Sequence, residues 1–131
     1  MDALSFFNRV KRACQEMPHI SRLLGEYEVL NGGQATASET AEDRVRLQRR
    51  YEAARAIRLQ GLLIIDSLPD IRWAVCLRRT YIDGWAVRQI ASSLGVSLRS
   101  VWNYRRDGLA WVDDKGLLGE GCEKGLKSKE K

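Results

Sequence analysis

Apolar residues recur at helical spacing along most of the chain. Between residues 2 and 30, Leu4, Phe7, Val10, Cys14 and Met17 fall three and four positions apart, and Ile20, Leu23, Tyr27 and Leu30 continue the stripe. That spacing predicts a helix with one buried face. Pro18 sits in its middle; proline lacks the amide hydrogen and crowds the preceding turn, so a kink or a division into two helices is expected there. Residues 31–40, NGGQATASET, have no apolar period and are rich in turn formers, which predicts a linker. A second helix is expected over 41–67, opened by Thr40 and Asp43 in the manner of a capping box. Along it Leu47, Tyr51, Ala54, Arg58, Gly61, Ile65 and Leu68 follow a rough heptad, in which Arg58 and Gly61 make a poor coiled-coil seam. The run 62–65 is apolar on every side and is expected inside a junction. Residues 1–67 thus read as an antiparallel helical hairpin, which serves either to oligomerise or to pack on the next module; a homodimer interface is the preferred of the two.

A third helix is expected to start near Pro69, with Ser67 as N-cap and Asp70 three positions on. Ile71, Val75, Arg79 and Ile82, beside Ala74, Leu77 and Tyr81, form its apolar face, and Asp83 with Gly84 ends it. The fold class expected is all-α.

Residues 87–106, VRQIASSLGVSLRSVWNYRR, meet the physical needs of a helix-turn-helix. Two short helices that cross closely need a small residue at the crossing, here Ala91. The chain must then turn sharply, which calls for a glycine, here Gly95. Ile90, Leu94, Val96, Val101 and Tyr104 stand where the motif needs apolar anchors, and Ser97 stands where the second helix needs an N-cap.

Charge points to the same stretch. Residues 1–69 hold ten basic and nine acidic groups, whereas residues 70–106 hold seven arginines against Asp70 and Asp83. The excess positive charge of this +5 chain therefore lies in one segment and is entirely arginine. The planar guanidinium suits phosphates and guanine edges, so a confined arginine patch is the electrostatic footprint of a nucleic-acid site.

The segment 68–112, LPDIRWAVCLRRTYIDGWAVRQIASSLGVSLRSVWNYRRDGLAWV, resembles the region-four domain of bacterial sigma factors. Leu68-Pro69 matches the helix opening of that pattern, Arg78, Tyr81 and Gly84 its helix end, and residues 90–97 its approach to the recognition helix. The match spans about 45 of the 131 residues. With a helical hairpin in front, the layout is similar to phage-encoded regulators of the ArpU/RinA type, which implies a phage or prophage transcriptional regulator. Asp107 and Gly108 fall where the sigma pattern continues with basic residues, so the recognition helix is expected to weaken there. The organisation expected is a hairpin over 1–67, a helix-turn-helix domain over 68–112 and a flexible tail over 113–131.

Within the second helix of the motif, Arg99 and Asn103 are the first candidates for base contacts, followed by Arg106. Ser97 is expected to cap the helix and to lie near phosphate. Arg78, Arg79, Arg88 and Arg105 are candidate phosphate contacts, each of which Asp70 or Asp83 could also engage. Trp102 is open between a thymine or sugar contact and packing against the hairpin. Trp73, Trp85 and Trp111 read as core. Arg44, Arg46, Arg49, Arg50, Arg55 and Arg58 read as a solvated face in preference to an extended DNA track.

Other chemistries find little support. Cys14, Cys76 and Cys122 are far apart and His19 is the only histidine, so no zinc site and no disulfide framework is expected; Cys14 and Cys76 read as small buried hydrophobes. No Gly-rich phosphate loop and no paired His–carboxylate cluster is present, so neither catalysis nor a cofactor is expected. The longest aliphatic run is far below the ~20 residues of a membrane span, and the first residues lack a signal-peptide layout, which together predict a cytoplasmic protein. The expected partner is double-stranded DNA. A DNA-packaging subunit like the phage small terminase is the alternative, and docking on RNA polymerase is a third reading.

Overall fold

The computed structural model describes residues 1–31 and 37–118, and every regular element among them is helical. Helix α1 (Ala3–Asn31) starts after Asp2, whose carboxylate accepts the Ser5 amide at 2.8 Å; hydrogen bonds from the Ser5 side chain and backbone hold that carboxyl below its usual range. Against the sequence expectation, Pro18 neither ends nor divides the helix. Pro18 is exposed and forgoes a single i→i−4 bond, while Val10 and Ala13 before it and Ile20 after it are buried. Tertiary packing on both sides of the proline outweighs the lost bond.

Helix α2 (Ala37–Asp66) begins ahead of the expected residue 41, which puts Thr40 inside the helix and rules out its capping role. The expected linker 31–40 therefore shortens at both ends, and its residues 32–36 lie outside the described ones. Tyr27 donates to Asp43 at 3.4 Å, Arg50 donates to Glu16 at 3.4 Å, and Val10 packs on Gly61. Rising numbers on α1 meet falling numbers on α2, so the two helices run antiparallel. The rough heptad is the contact seam, and Gly61 is the reason it works. A Cβ there would lie 3.0 Å from both Val10 methyl carbons, closer than a side chain can pack without displacing them. Leu4 and Leu63, expected inside, are 50% and 61% exposed. Ala3, Phe6 and Phe7 take the core positions instead of Leu4, and Leu63 faces away from the seam formed by Gly61 and Ile65.

Ser67 does not cap the next helix; its hydroxyl donates back to the Ile64 carbonyl at 2.6 Å. Asp70 is the cap of α3 (Ile71–Leu77), accepting the Arg72 amide at 2.8 Å. Ile71, counted in the apolar face, is 76% exposed because the first turn projects beyond the core. α3 passes straight into a π-helical turn (Arg78–Ile82), in which the Asp83 amide reaches the Arg78 carbonyl at 3.0 Å. This wider turn buries both Thr80 and Tyr81, and Gly84 closes it at φ +72°.

α4 (Val87–Leu94) and α5 (Leu98–Lys115) complete the chain. α5 does not weaken at Asp107 and Gly108; it runs through both to Lys115, past the expected start of the tail. Gly108 is buried under α3, where a Cβ would stand 3.1 Å from Leu77 Cδ1 and 3.2 Å from Trp73 Cβ. The glycine makes room for these two side chains of α3. The rest of the expected tail, residues 119–131 with Cys122, lies outside the described residues.

The main core draws on both ends of the chain. Phe7 and Val10 of α1, Ile65 of α2, Leu77 of α3, Tyr81 of the π-helical turn and Val112 of α5 pack in one cluster. Phe7 stands 5.4 Å from Tyr81 between ring centroids, and the Ala3 amide donates to Asp113 Oδ1 at 2.7 Å. A smaller cluster of Cys76, Ile90, Ala91 and Val101 ties α3, α4 and α5 together.

Candidate nucleic-acid interface

The joint between α4 and α5 is built from local chemistry. Gly95 takes φ +69°, a conformation that costs glycine least, and its amide reaches the Ala91 and Ser92 carbonyls. The Val96 amide donates to the Ala91 carbonyl at 3.0 Å. Ser97 then caps α5, its Oγ accepting the Ser100 amide at 3.1 Å and so satisfying one of the free amides of the first turn. Gln89 Oε1 accepts the Ala86 amide at 2.9 Å and steadies the start of α4. Ile90 and Val101 are fully buried, with Leu94, Val96 and Tyr104 packed around them. These are the positions the sequence assigned to apolar anchors.

Burial of Val101, Gly108 and Val112 defines the inner face of α5. At 100° per residue, Arg99, Asn103 and Arg106 stand opposite that face. Arg99 and Arg106 are exposed and Asn103 is half-buried. Arg106 bonds its neighbour Asp107 at 3.3 Å. Trp102 is 55% exposed, so it does not pack beneath the hairpin.

Arg105 was expected among the exposed cations and is instead half-buried. Its guanidinium lies 4.7 Å from the Trp102 ring centroid and 5.6 Å from that of Tyr81, and it donates to the Tyr81 hydroxyl at 3.4 Å. Its Nε is buried with no hydrogen-bond partner among the described residues. Arg105 thus links an exposed tryptophan to the main core through Tyr81. Sequence periodicity places Arg105 outside the α5 stripe but carries no sign of Tyr81, 24 positions earlier.

The two acids of the basic stretch are both engaged. Asp70 pairs with Arg72 at 3.0 Å, and the Arg72 hydrogen bond holds its carboxyl below the usual range. Asp83 pairs with Arg79 at 2.9 Å, and Arg79 also lies over the Trp85 ring at 4.3 Å. Arg78, Arg88 and Arg99 are exposed and form no ion pair with any described residue. Arg72, which sequence reasoning passed over as a contact, lies over Tyr104 at 5.1 Å, on the α5 side of α3.

On α2 the arginines divide, with Arg49 and Arg55 exposed and in no ion pair with any described residue. Arg46 pairs with Asp43, Arg50 with Glu16 at 3.4 Å, and Arg58 is half-buried beside the Cys14 thiol. Burial raises the pKa of both the Cys14 and Cys76 thiols; Cys76 is fully buried, while Cys14, expected buried, is half-exposed at the seam. Among the described residues no group of His, Cys, Asp and Glu gathers to hold a metal ion, and no helix is long and apolar enough to cross a membrane. The chain matches no protein-family model, no curated protein and no solved structure.

Proposed function

We propose that this chain binds double-stranded DNA through α4, its turn and α5, acting as a sigma region-four-like helix-turn-helix whose recognition helix α5 enters the major groove. On this reading it regulates transcription, in the manner of the phage regulators its layout resembles, with no catalysis of its own. The observation that carries the proposal is a set of exposed arginines: Arg78, Arg88 and Arg99 have no acidic partner among the described residues, while Asp70 and Asp83 are taken by Arg72 and Arg79. Unpaired guanidinium groups beside a capped, rigidly mounted helix suit a polyanion, because phosphate contact releases counterions and costs no internal ion pair. Arg99, Asn103 and Arg106 on the outer face of α5 supply the hydrogen-bonding side chains that distinguish guanine and adenine edges. Arg78 and Arg88 give affinity without sequence information.

The test is selection from a randomised duplex pool with purified protein at near-physiological salt. The expected result is an enriched motif whose binding weakens steeply as salt rises. Absence of binding even at low salt overturns the proposal. Salt-sensitive binding without enrichment, together with a many-subunit ring in light scattering, would transfer the site to DNA packaging.

A further inference from the structure

Two large, partly exposed apolar side chains stand on the flank of α5, between its buried face and its outer row, four residues apart. Leu98 is 47% exposed and Trp102 is 55% exposed. At i and i+4 on one helix they are stacked neighbours, with Cβ atoms ~5–6 Å apart. Each costs hydration free energy where it stands, and both lie beside the arginine row of the same helix. The tryptophan is also held. The Arg105 guanidinium covers one side of its ring at 4.7 Å and is itself tied to Tyr81 by ring contact and hydrogen bond, while Tyr81 is 2% exposed in the main core. Trp102 is therefore presented in a preset orientation, which lowers the entropy lost when a ligand meets it.

The neighbourhood selects the occupant. Arg99 adjoins Leu98 and carries no ion pair with a described residue, and Arg106 stands one turn beyond Trp102. An apolar pair bordered by cations fits a polyanion that offers apolar groups at defined places. Duplex DNA does so in the major groove, where the thymine C5-methyl is the apolar element of an otherwise polar base-pair edge. A-form RNA does not fit, because its major groove is too narrow for a helix.

We propose that Leu98 and Trp102 read thymine, packing on C5-methyl groups beside the base pairs read by Arg99 and Asn103, with Arg105 as the residue that positions the tryptophan. This rests on the reading of α5 as a recognition helix. The preferred duplex site is resynthesised with deoxyuridine in place of thymine, one position at a time, which removes a single methyl group and leaves every hydrogen bond intact. The full chain is expected to bind about fourfold more weakly per methyl at the positions facing Leu98 and Trp102, the worth of one buried methyl-sized group. Leu98→Ala and Trp102→Ala should each erase the penalty at one position, with circular dichroism unchanged. Arg105→Lys keeps the charge but not the planar stack, so it should shrink the penalty opposite Trp102 while leaving the salt dependence as it was.

Equal binding of thymine and uracil duplexes, with Arg99→Ala still weakening binding, overturns the thymine assignment and leaves the DNA reading standing. Failure to bind any duplex overturns both. A uracil penalty that survives in both alanine variants assigns the methyl contact to other residues and also overturns it.

Discussion

The hairpin and the α3–α5 unit are both rich in arginine, yet acids offset it more fully in the hairpin. On α2, Arg46 and Arg50 answer Asp43 and Glu16, and Arg58 leans on the half-buried Cys14; the first 69 residues carry almost as many acids as bases. On α3–α5, Asp70, Asp83 and Asp107 are engaged by Arg72, Arg79 and Arg106, and Arg78, Arg88 and Arg99 form no ion pair with any described residue. Composition separates the two regions, and pairing separates the arginines within each. A guanidinium already beside a carboxylate must break that contact to meet phosphate, and an unpaired one need not. The excess positive charge lies on residues 70–106.

The sharpest way to break this division is to ask whether hairpin and charged unit fold separately. Phe7 is fully buried among residues from both. Phe7→Ala should destabilise the whole chain by about 3–5 kcal/mol in urea unfolding, in a single transition followed by both helicity and tryptophan emission. Two separate transitions would mean that the hairpin does not brace α5.

Next in size is Arg99→Ala, expected to cost about 1–3 kcal/mol on the preferred duplex and to relax preference at one base pair in a binding titration. Equal losses on all sequences would remove Arg99 from base reading and leave it as a phosphate contact. Ser97→Ala should lower stability by about 1 kcal/mol through loss of the α5 cap, as thermal denaturation would show. An unchanged midpoint would mean that the Ser97–Ser100 hydrogen bond is not sustained in solution.

The smallest effects set the two regions side by side. Arg88→Ala should flatten the slope of log affinity against log salt by about one unit. Arg55→Ala, on the exposed side of α2, should leave the slope unchanged and the stability within about 0.5 kcal/mol of the original. If Arg55→Ala moved the slope as much as Arg88→Ala, the hairpin would belong to the DNA track and the comparison would collapse.

Much of this architecture was legible in the sequence where the interactions are local. The α4–α5 joint is the clearest case: Gly95 in the left-handed region, Ser97 at the cap, and Ile90 and Val101 buried depend on residues within a few positions of one another. The helix starts were less legible, because capping residues compete. Thr40 and Ser67 had the right chemistry, but α2 extends back past Thr40, and Asp70 stands nearer the α3 amides than Ser67 does. Among the candidate contact residues, outward placement of Arg99 and Arg106 followed from helical period, whereas the engagement of Arg79 and Arg105 did not.

By itself the sequence determined that the chain is helical, where the close-crossing turn falls and which segment holds the excess positive charge, because period, glycine and cap act over one or two turns. Only the tertiary structure decided that Pro18 stays within one helix, that Gly61 and Gly108 make room for side chains of a facing helix, that Asp113 receives the Ala3 amide and that Arg105 is clasped between Tyr81 and Trp102. Most of these rest on partners tens of residues away along the chain. No local pattern encodes such a partner, and its free energy exists only once the helices have packed.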